Sequence, residues 1–257
     1  MVEKLFEELS RLEQVESIAL GGSRAGKVYD ESSDYDVYLY LTDPIDENVR
    51  REILSKYCSY MEIGNHFWEY EDNCVLKNSI DIDILYRDID GFSKTVEYVV
   101  KKHNAYAGYT TCMWHNLINS KIIYDKNGRL ADTVKRFSVP YPKKLKENII
   151  TKNMKLLSDA MPAYSTQIKK AINRNDLVSI GHRTSAFMES YFDIIWAMNE
   201  MTHPGEKRLI SLCKQKCSIL PENFEENIAR LYSHLFTDTE KVNDDIKEII
   251  DELKKVL

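Results

Sequence analysis

Residues 79–86, Ser-Ile-Asp-Ile-Asp-Ile-Leu-Tyr, alternate between apolar and acidic side chains. A helix would scatter such a pattern around its surface. A strand has a side-chain period of two, so Ile80, Ile82 and Ile84 share one face and Asp81 and Asp83 the other. The chain must therefore build a sheet with one face in a core and one face carrying carboxylates. Other segments supply partners for that strand. "SIAL" (17–20) is a short apolar run that stops at Gly21-Gly22, "DVYLYL" (36–41) is β-branched and aromatic, and "KIIYD" (121–125) precedes the turn at Asn127-Gly128.

Helices are predicted between and after these strands. Val2, Leu5, Phe6, Leu9 and Leu12 repeat at helical spacing over 2–14. Asp43 and Pro44 suit the start of a helix whose inner face is Val49, Ile53, Leu54 and Tyr57. Residues 93–106 and 109–119 read as two more. Pro140 and Pro142 in "SVPYPKK" (138–144) mark a linker, and no strand is expected beyond it. Asp176 is placed to cap a helix carrying Ile180, Phe187, Tyr191, Ile194, Ile195 and Met198. Pro221 is placed to start another, and Val242, Ile246, Ile249, Ile250 and Leu253 define a last one. The expected fold class is α+β: a short mixed sheet flanked by helices, then an all-helical part. The expected domains are 1–138 and 143–257, with a cleft between them.

Composition narrows the partners. A net charge of −6 and a pI of about 5.6 do not favour broad binding of nucleic acid. No long apolar run implies a membrane span, and the first residues lack the pattern of a signal peptide, so a cytoplasmic protein is expected. Cys58, Cys74, Cys112, Cys213 and Cys217 are an odd number at scattered spacings. Cys213 and Cys217 lie one helical turn apart, a geometry that suits two zinc ligands, but no second pair stands nearby and reduced thiols are the simpler reading.

Chemistry concentrates in residues 19–41. A strand ends in Gly21-Gly22-Ser23, a short connection spans 24–33, and Asp34 and Asp36 open the next strand. Glycine lets backbone approach a phosphate closely, and Ser23 and Arg24 add a hydroxyl and a positive charge. Asp34 and Asp36, at i and i+2, project from one face and repel unless a cation joins them. Asp83 or Asp81 on the later strand is placed to complete the group. Three carboxylates suit two Mg²⁺ ions, which is the chemistry of phosphoryl and nucleotidyl transfer. A solvated turn and an exposed strand face are the plainer reading of each feature taken alone.

The pattern Gly22-Ser23, a short gap, Asp34-x-Asp36, and an acid on a later strand resembles the nucleotidyltransferase superfamily to which polymerase beta belongs. "DILY" places Asp83 ahead of Asp81 as the third acid in that likeness. "IIYDKNGRL" (122–130) and "HRTSAFMESYFDIIWAMNEMTHPGEKR" (182–208) are similar to a bacterial group of uncharacterised nucleotidyltransferase-like proteins. The layout is also similar to aminoglycoside and lincosamide nucleotidyltransferases, in architecture only. The resemblance implies that the helical part supplies a base for the acceptor and a cation for the triphosphate. Glu189, four residues before Asp193, is the candidate base, and Lys207, in "HPGEKR" before a helix start, the candidate cation.

The expected enzyme is thus a Mg²⁺-dependent nucleotidyltransferase. It moves a nucleoside monophosphate, AMP from ATP first among them, onto a hydroxyl of a small molecule and releases pyrophosphate. Expected catalytic residues are Asp34, Asp36, Asp83 and Glu189. Expected nucleotide contacts are Gly22, Ser23, Arg24 and Lys207, with Asp81 a further candidate metal ligand. The alternatives are nucleotidyl tagging of a protein or RNA and a catalytically silent nucleotide-binding module. A homodimer is compatible with all three.

Overall fold

The computed structural model describes residues 1–26, 33–67 and 69–257, and of Ser23 only the backbone. The predicted connection 24–33 therefore falls largely outside the described residues. Two compact units emerge, one of residues 1–97 and 116–139 and one of 98–115 and 140–257.

Among the described residues the first unit is built on six strands: β1 (Val15–Leu20), β2 (Tyr35–Leu41), β3 (Cys58–Asn65), β4 (Glu71–Leu76), β5 (Asp81–Arg87) and β6 (Lys121–Asp125). Their order in the sheet is β3-β4-β5-β2-β1-β6. Among the described residues only β2 and β5 run parallel. The core forms where alternation says it should. Ile82 and Ile84 of β5 and Val37 and Leu39 of β2 are fully buried, under Leu5 and Leu9 of α1 (Val2–Ser10) and Ile53 and Leu54 of α3 (Glu47–Ser55). The short α2 (Gly22–Ala25) follows β1. Because the isoleucines face this core, Asp81 and Asp83 face the other side of the sheet.

Several local expectations shift. α3 begins three residues beyond Pro44, because Asp46, not Asp43, accepts the N–H of Asn48. Val49 faces outward and the buried position beside it belongs to Arg50. A helix runs over Ile89–Val100 (α4) rather than 93–106. Asp88 caps it through the N–H of Gly91 at 2.6 Å, and His103 with φ +57° lies past its end. α5 spans Cys112–Asn119 and α6 Arg129–Phe137. The hairpin of β3 and β4 was not predicted. β3 is an edge strand with mixed exposure, and β4 opens with two buried acids, Glu71 and Asp72, which break the apolar alternation that marks strands.

The second unit is helical: α7 (Lys143–Met154), a π-helical turn at Lys155–Asp159, α8 (Tyr164–Ile172), α9 (Leu177–Met198), α10 (Leu209–Lys216), α11 (Phe224–Thr237) and α12 (Val242–Lys255). Asp176 caps α9 through Ser179 N–H at 3.0 Å, as its position implies. α9 is the central element, and Tyr191, Phe192 and Trp196 are core residues, 1%, 5% and 1% exposed. α11 starts three residues after Pro221, with Asn223 as the residue before it.

Residues 98–115 group with these helices through specific bonds. Asp193, at 2% exposure, accepts from Thr110 N, Thr110 Oγ1 and Asn153 Nδ2. Asn148 and Lys152 of α7 hold the carbonyls of His103 and Ala105. Cys213 is buried and Cys217 half-buried, both as thiols. Among the described residues no helix is long and apolar enough to cross a membrane.

Candidate active site

The parallel pairing of β2 with β5 decides the site. Asp36 stands directly opposite Asp83, and both are half-buried. In-register neighbours on adjacent strands share a face, so the two carboxylates lie abreast. Asp34 precedes β2 on the same face by alternation, and Asp81, exposed, opens β5. Asp83, not Asp81, is thus the acid opposite Asp36. Among the described residues no three acidic, histidine or cysteine side chains gather as a metal-holding group. The expected three-acid cage is here an adjacent pair with two further acids beside it.

On its other side Asp36 meets the glycine loop. The Gly21 N–H donates to the Asp36 carbonyl at 2.8 Å. Gly22 has φ +57°, and a methyl group added there would overlap Asp36 Oδ2. Only glycine allows both the left-handed backbone and the close approach. We expect Gly22→Ala to displace the Asp36 carboxylate and reduce transfer by at least about tenfold, while backbone strain costs ~1–2 kcal/mol of stability. Parallel assays of turnover and urea unfolding measure the two effects; wild-type turnover in this variant would remove Gly22 from the site.

Arg24, an expected nucleotide contact, is held at the foot of β2. Its Nε–H donates to the Ser33 carbonyl at 2.7 Å, and its guanidinium stacks 3.9 Å over the Tyr35 ring. It therefore ties together the two ends of the connection between α2 and β2. It also lines a cavity of about 400 Å³ with Phe6, Leu20, Tyr35, Lys121 and Tyr124. Tyr35 alternates with Asp34 and Asp36, so this cavity lies toward the sheet face opposite the acids. The side chain of Ser23 lies outside the described residues.

Farther along the acid face, Arg87 is buried and stacks 4.0 Å over Tyr38. It pairs with Glu69 through two hydrogen bonds of 2.8 and 2.6 Å. Burial holds the Tyr38 phenol above its ordinary range, so it stays a neutral hydroxyl that accepts from Asn116 Nδ2.

The two remaining candidates belong to the second unit. Glu189, on α9, is half-buried, and burial raises its carboxyl pKa against a smaller opposing effect from His182. The α-helical backbone at Glu189 packs on Gly108, whose φ is +89°. Lys207 is exposed, and Arg208, in the left-handed region, immediately precedes α10.

This unit also holds two neutral histidines. Burial, with the nearby Lys216, pushes His115 down to about 4; burial, with His115, pushes His203 down to about 3. Asp193 is pushed up to about 6 by burial, against its hydrogen bonds. Between pH 6 and 4 the unfolded chain binds a proton on each histidine, while the native unit binds the one on Asp193. Net uptake on unfolding is then about one proton, so stability falls by ~1.4 kcal/mol per pH unit of acidification. Urea midpoints across this window test the sign, and His115→Gln should flatten the slope. A midpoint that rises on acidification would contradict the assignment.

A mixed sheet that ends one strand in a glycine pair and sets two aspartates abreast on its parallel strands is the arrangement of a nucleotidyltransferase. Residues 2–106 match the family model of the nucleotidyltransferase domain. Residues 110–209 match a domain of unknown function (DUF4037). No curated protein matches the chain. Among solved structures it is similar to a nucleotidyltransferase-like protein from Exiguobacterium sibiricum, with 11% identity and a TM-score of 0.45, over 100% of this chain and 74% of that one. It is similar also to an aminoglycoside 6-adenyltransferase from Bacillus subtilis, with 10% identity and a TM-score of 0.30, over 99% and 89%. A third is the Thermotoga maritima CCA-adding enzyme, with 11% identity and a TM-score of 0.27, over 99% and 78%.

Proposed function

We propose that the protein transfers a nucleoside monophosphate, with ATP as donor, onto a hydroxyl of a small acceptor and releases pyrophosphate. The observation that carries this reading is the register of Asp36 with Asp83, with Gly22 packed against Asp36. The donor set suits Mg²⁺ arriving with the triphosphate, since that ion needs only one or two carboxylates besides phosphate oxygens and water. Bound there, Mg²⁺ would polarise the α-phosphate and offset the charge of the leaving pyrophosphate.

The chain's own residues do the rest. Asp36 and Asp83 are assigned to orient the nucleotide's reacting end, Asp34 and Asp81 to add negative potential beside them, and the Gly22–Ser23 backbone to hold the triphosphate. Arg24 keeps that loop in place through Ser33. In the second unit Glu189 is assigned as the base for the acceptor and Lys207 as a cation for the triphosphate, both to be tested by substitution. We also propose that the two units are separate domains, the first catalytic.

Calorimetry with ATP tests the donor site. Binding should be tighter in Mg²⁺ than in EDTA, and the difference should vanish in Asp36→Asn. Equal affinity in both media, with no change in the variant, would sink the reading. Labelled ATP added with cell extract then separates acceptor classes: label in the low-mass fraction supports a small molecule, and label in protein or RNA supports nucleotidyl tagging.

A further inference from the structure

The register that sets Asp36 beside Asp83 continues outward. Asn73 of β4 stands opposite Asp83, and Glu62 of β3 stands opposite Asn73. Glu62, Asn73, Asp83 and Asp36 thus form one row across four adjacent strands, on the face that carries the acids. Hydrogen bonds link the row. Asn73 Nδ2 donates to Asp83 Oδ1 at 2.8 Å. Asn65 Nδ2 donates to Asn73 Oδ1 at 2.8 Å and to Glu62 Oε2 at 3.1 Å. Tyr60 closes the outer end with a 2.7 Å bond to Glu62 Oε1.

The direction of these bonds follows from chemistry. Ionised carboxylates only accept, so Asn73 must turn its NH₂ to Asp83, and its carbonyl then needs a donor. Asn65 provides it, spending its two N–H groups on Asn73 and Glu62. Reversing either amide would set a carbonyl against a carboxylate.

We propose that Asn73 is a positioning residue for Asp83. Its amide holds Oδ1 and stops the carboxylate from turning about its last torsion, keeping Oδ2 for the metal-bound nucleotide. Asn65 and Glu62 hold Asn73 in turn. Asp83 is then set before the nucleotide arrives, and less order must be imposed on binding. The proposal rests on the reading of Asp36 and Asp83 as the nucleotide-binding acids. Groups behind metal-ligating side chains commonly contribute about 10–100-fold in affinity or activity.

The test is calorimetry on the full chain, using whichever common NTP the wild type binds in Mg²⁺, repeated in EDTA. Asn73→Leu keeps the volume and removes the donor. It should weaken Mg²⁺-dependent binding about 10–100-fold and leave binding in EDTA unchanged. Asn73→His retains an N–H near the amide's place and should recover part of the loss. A packing role predicts the opposite order, with Leu harmless. Asn65→Ala, which touches no site acid, should give a smaller loss in the same direction, and it carries the test if a melting curve shows Asn73→Leu unfolded. Wild-type binding by Asn73→Leu, or no advantage of His over Leu, overturns the proposal while Asp36→Asn still loses Mg²⁺-dependent binding. Wild-type binding by Asp36→Asn removes the underlying reading and the proposal with it.

Discussion

Asp36→Asn is expected to lower nucleotidyl transfer by about a thousandfold, or ~4 kcal/mol of transition-state stabilisation, with the fold retained. The substitution keeps shape and removes charge at a half-buried position between the glycine loop and Asp83. Nothing else in the row can replace that charge in place. Asp83→Asn should cost about as much, Asp34→Asn less, and Asp81→Asn least, since Asp81 is exposed at the start of β5. Pyrophosphate release from the NTP, once an acceptor supports turnover, gives the ranking, and a melting curve shows that each variant is folded. Undiminished turnover in Asp36→Asn would take the acids out of the mechanism.

Asp72→Ala is expected to destabilise the first unit by about 3–5 kcal/mol. Asp72 has no exposure. It pairs with Arg50, also buried, and accepts from Tyr86 OH at 2.6 Å and Gly64 N at 2.9 Å. Arg50 also bonds Tyr70 and lies over the Tyr86 ring. Removing the carboxylate leaves a buried guanidinium whose lost solvation Tyr70, the Tyr86 ring and the exposed Glu47 at 3.9 Å repay only in part. Replacing both partners with apolar residues, as in Arg50→Met with Asp72→Leu, should restore most of the loss. Urea unfolding of the two singles and the double gives the coupling energy. Additive losses would mean that the pair is not coupled. This pair also bears on the site, because Asp72 and Asn73 are neighbours on β4 that face opposite sides of the sheet. Anchoring Asp72 to α3 on one side sets where Asn73 points on the other.

Local pattern made much of this legible. The alternation of residues 79–86 revealed both the core face and the acid face of β5, and the cap at Asp176 and the apolar repeat behind it located α9. Gly21-Gly22 with Asp34 and Asp36 pointed to a loop beside a carboxylate-bearing strand. The misreadings have a common physical origin. β3 and β4 carry buried or exposed polar residues whose partners lie far away in sequence: Asp72 is buried because Arg50 and Tyr86 satisfy it, not because its neighbours are apolar. Arg50 was invisible as a core residue for the same reason. Nothing near Asp193 in the sequence marks it as buried; Thr110 and Asn153, far away in the chain, close around it.

The choice between Asp81 and Asp83 shows where local information ends. Both have the same period, the same face and the same apolar flanks, so, apart from the family likeness of "DILY", nothing within the strand separates them. The pairing of β5 with β2 does, because a parallel register fixes Asp36 against one residue and no other. Periodicity, a property of adjacent residues, determined that this chain would carry acids on a sheet face next to a glycine loop. Which acids stand together, and that Asn73 and Glu62 continue their row, was decided by hydrogen bonding between strands distant in sequence.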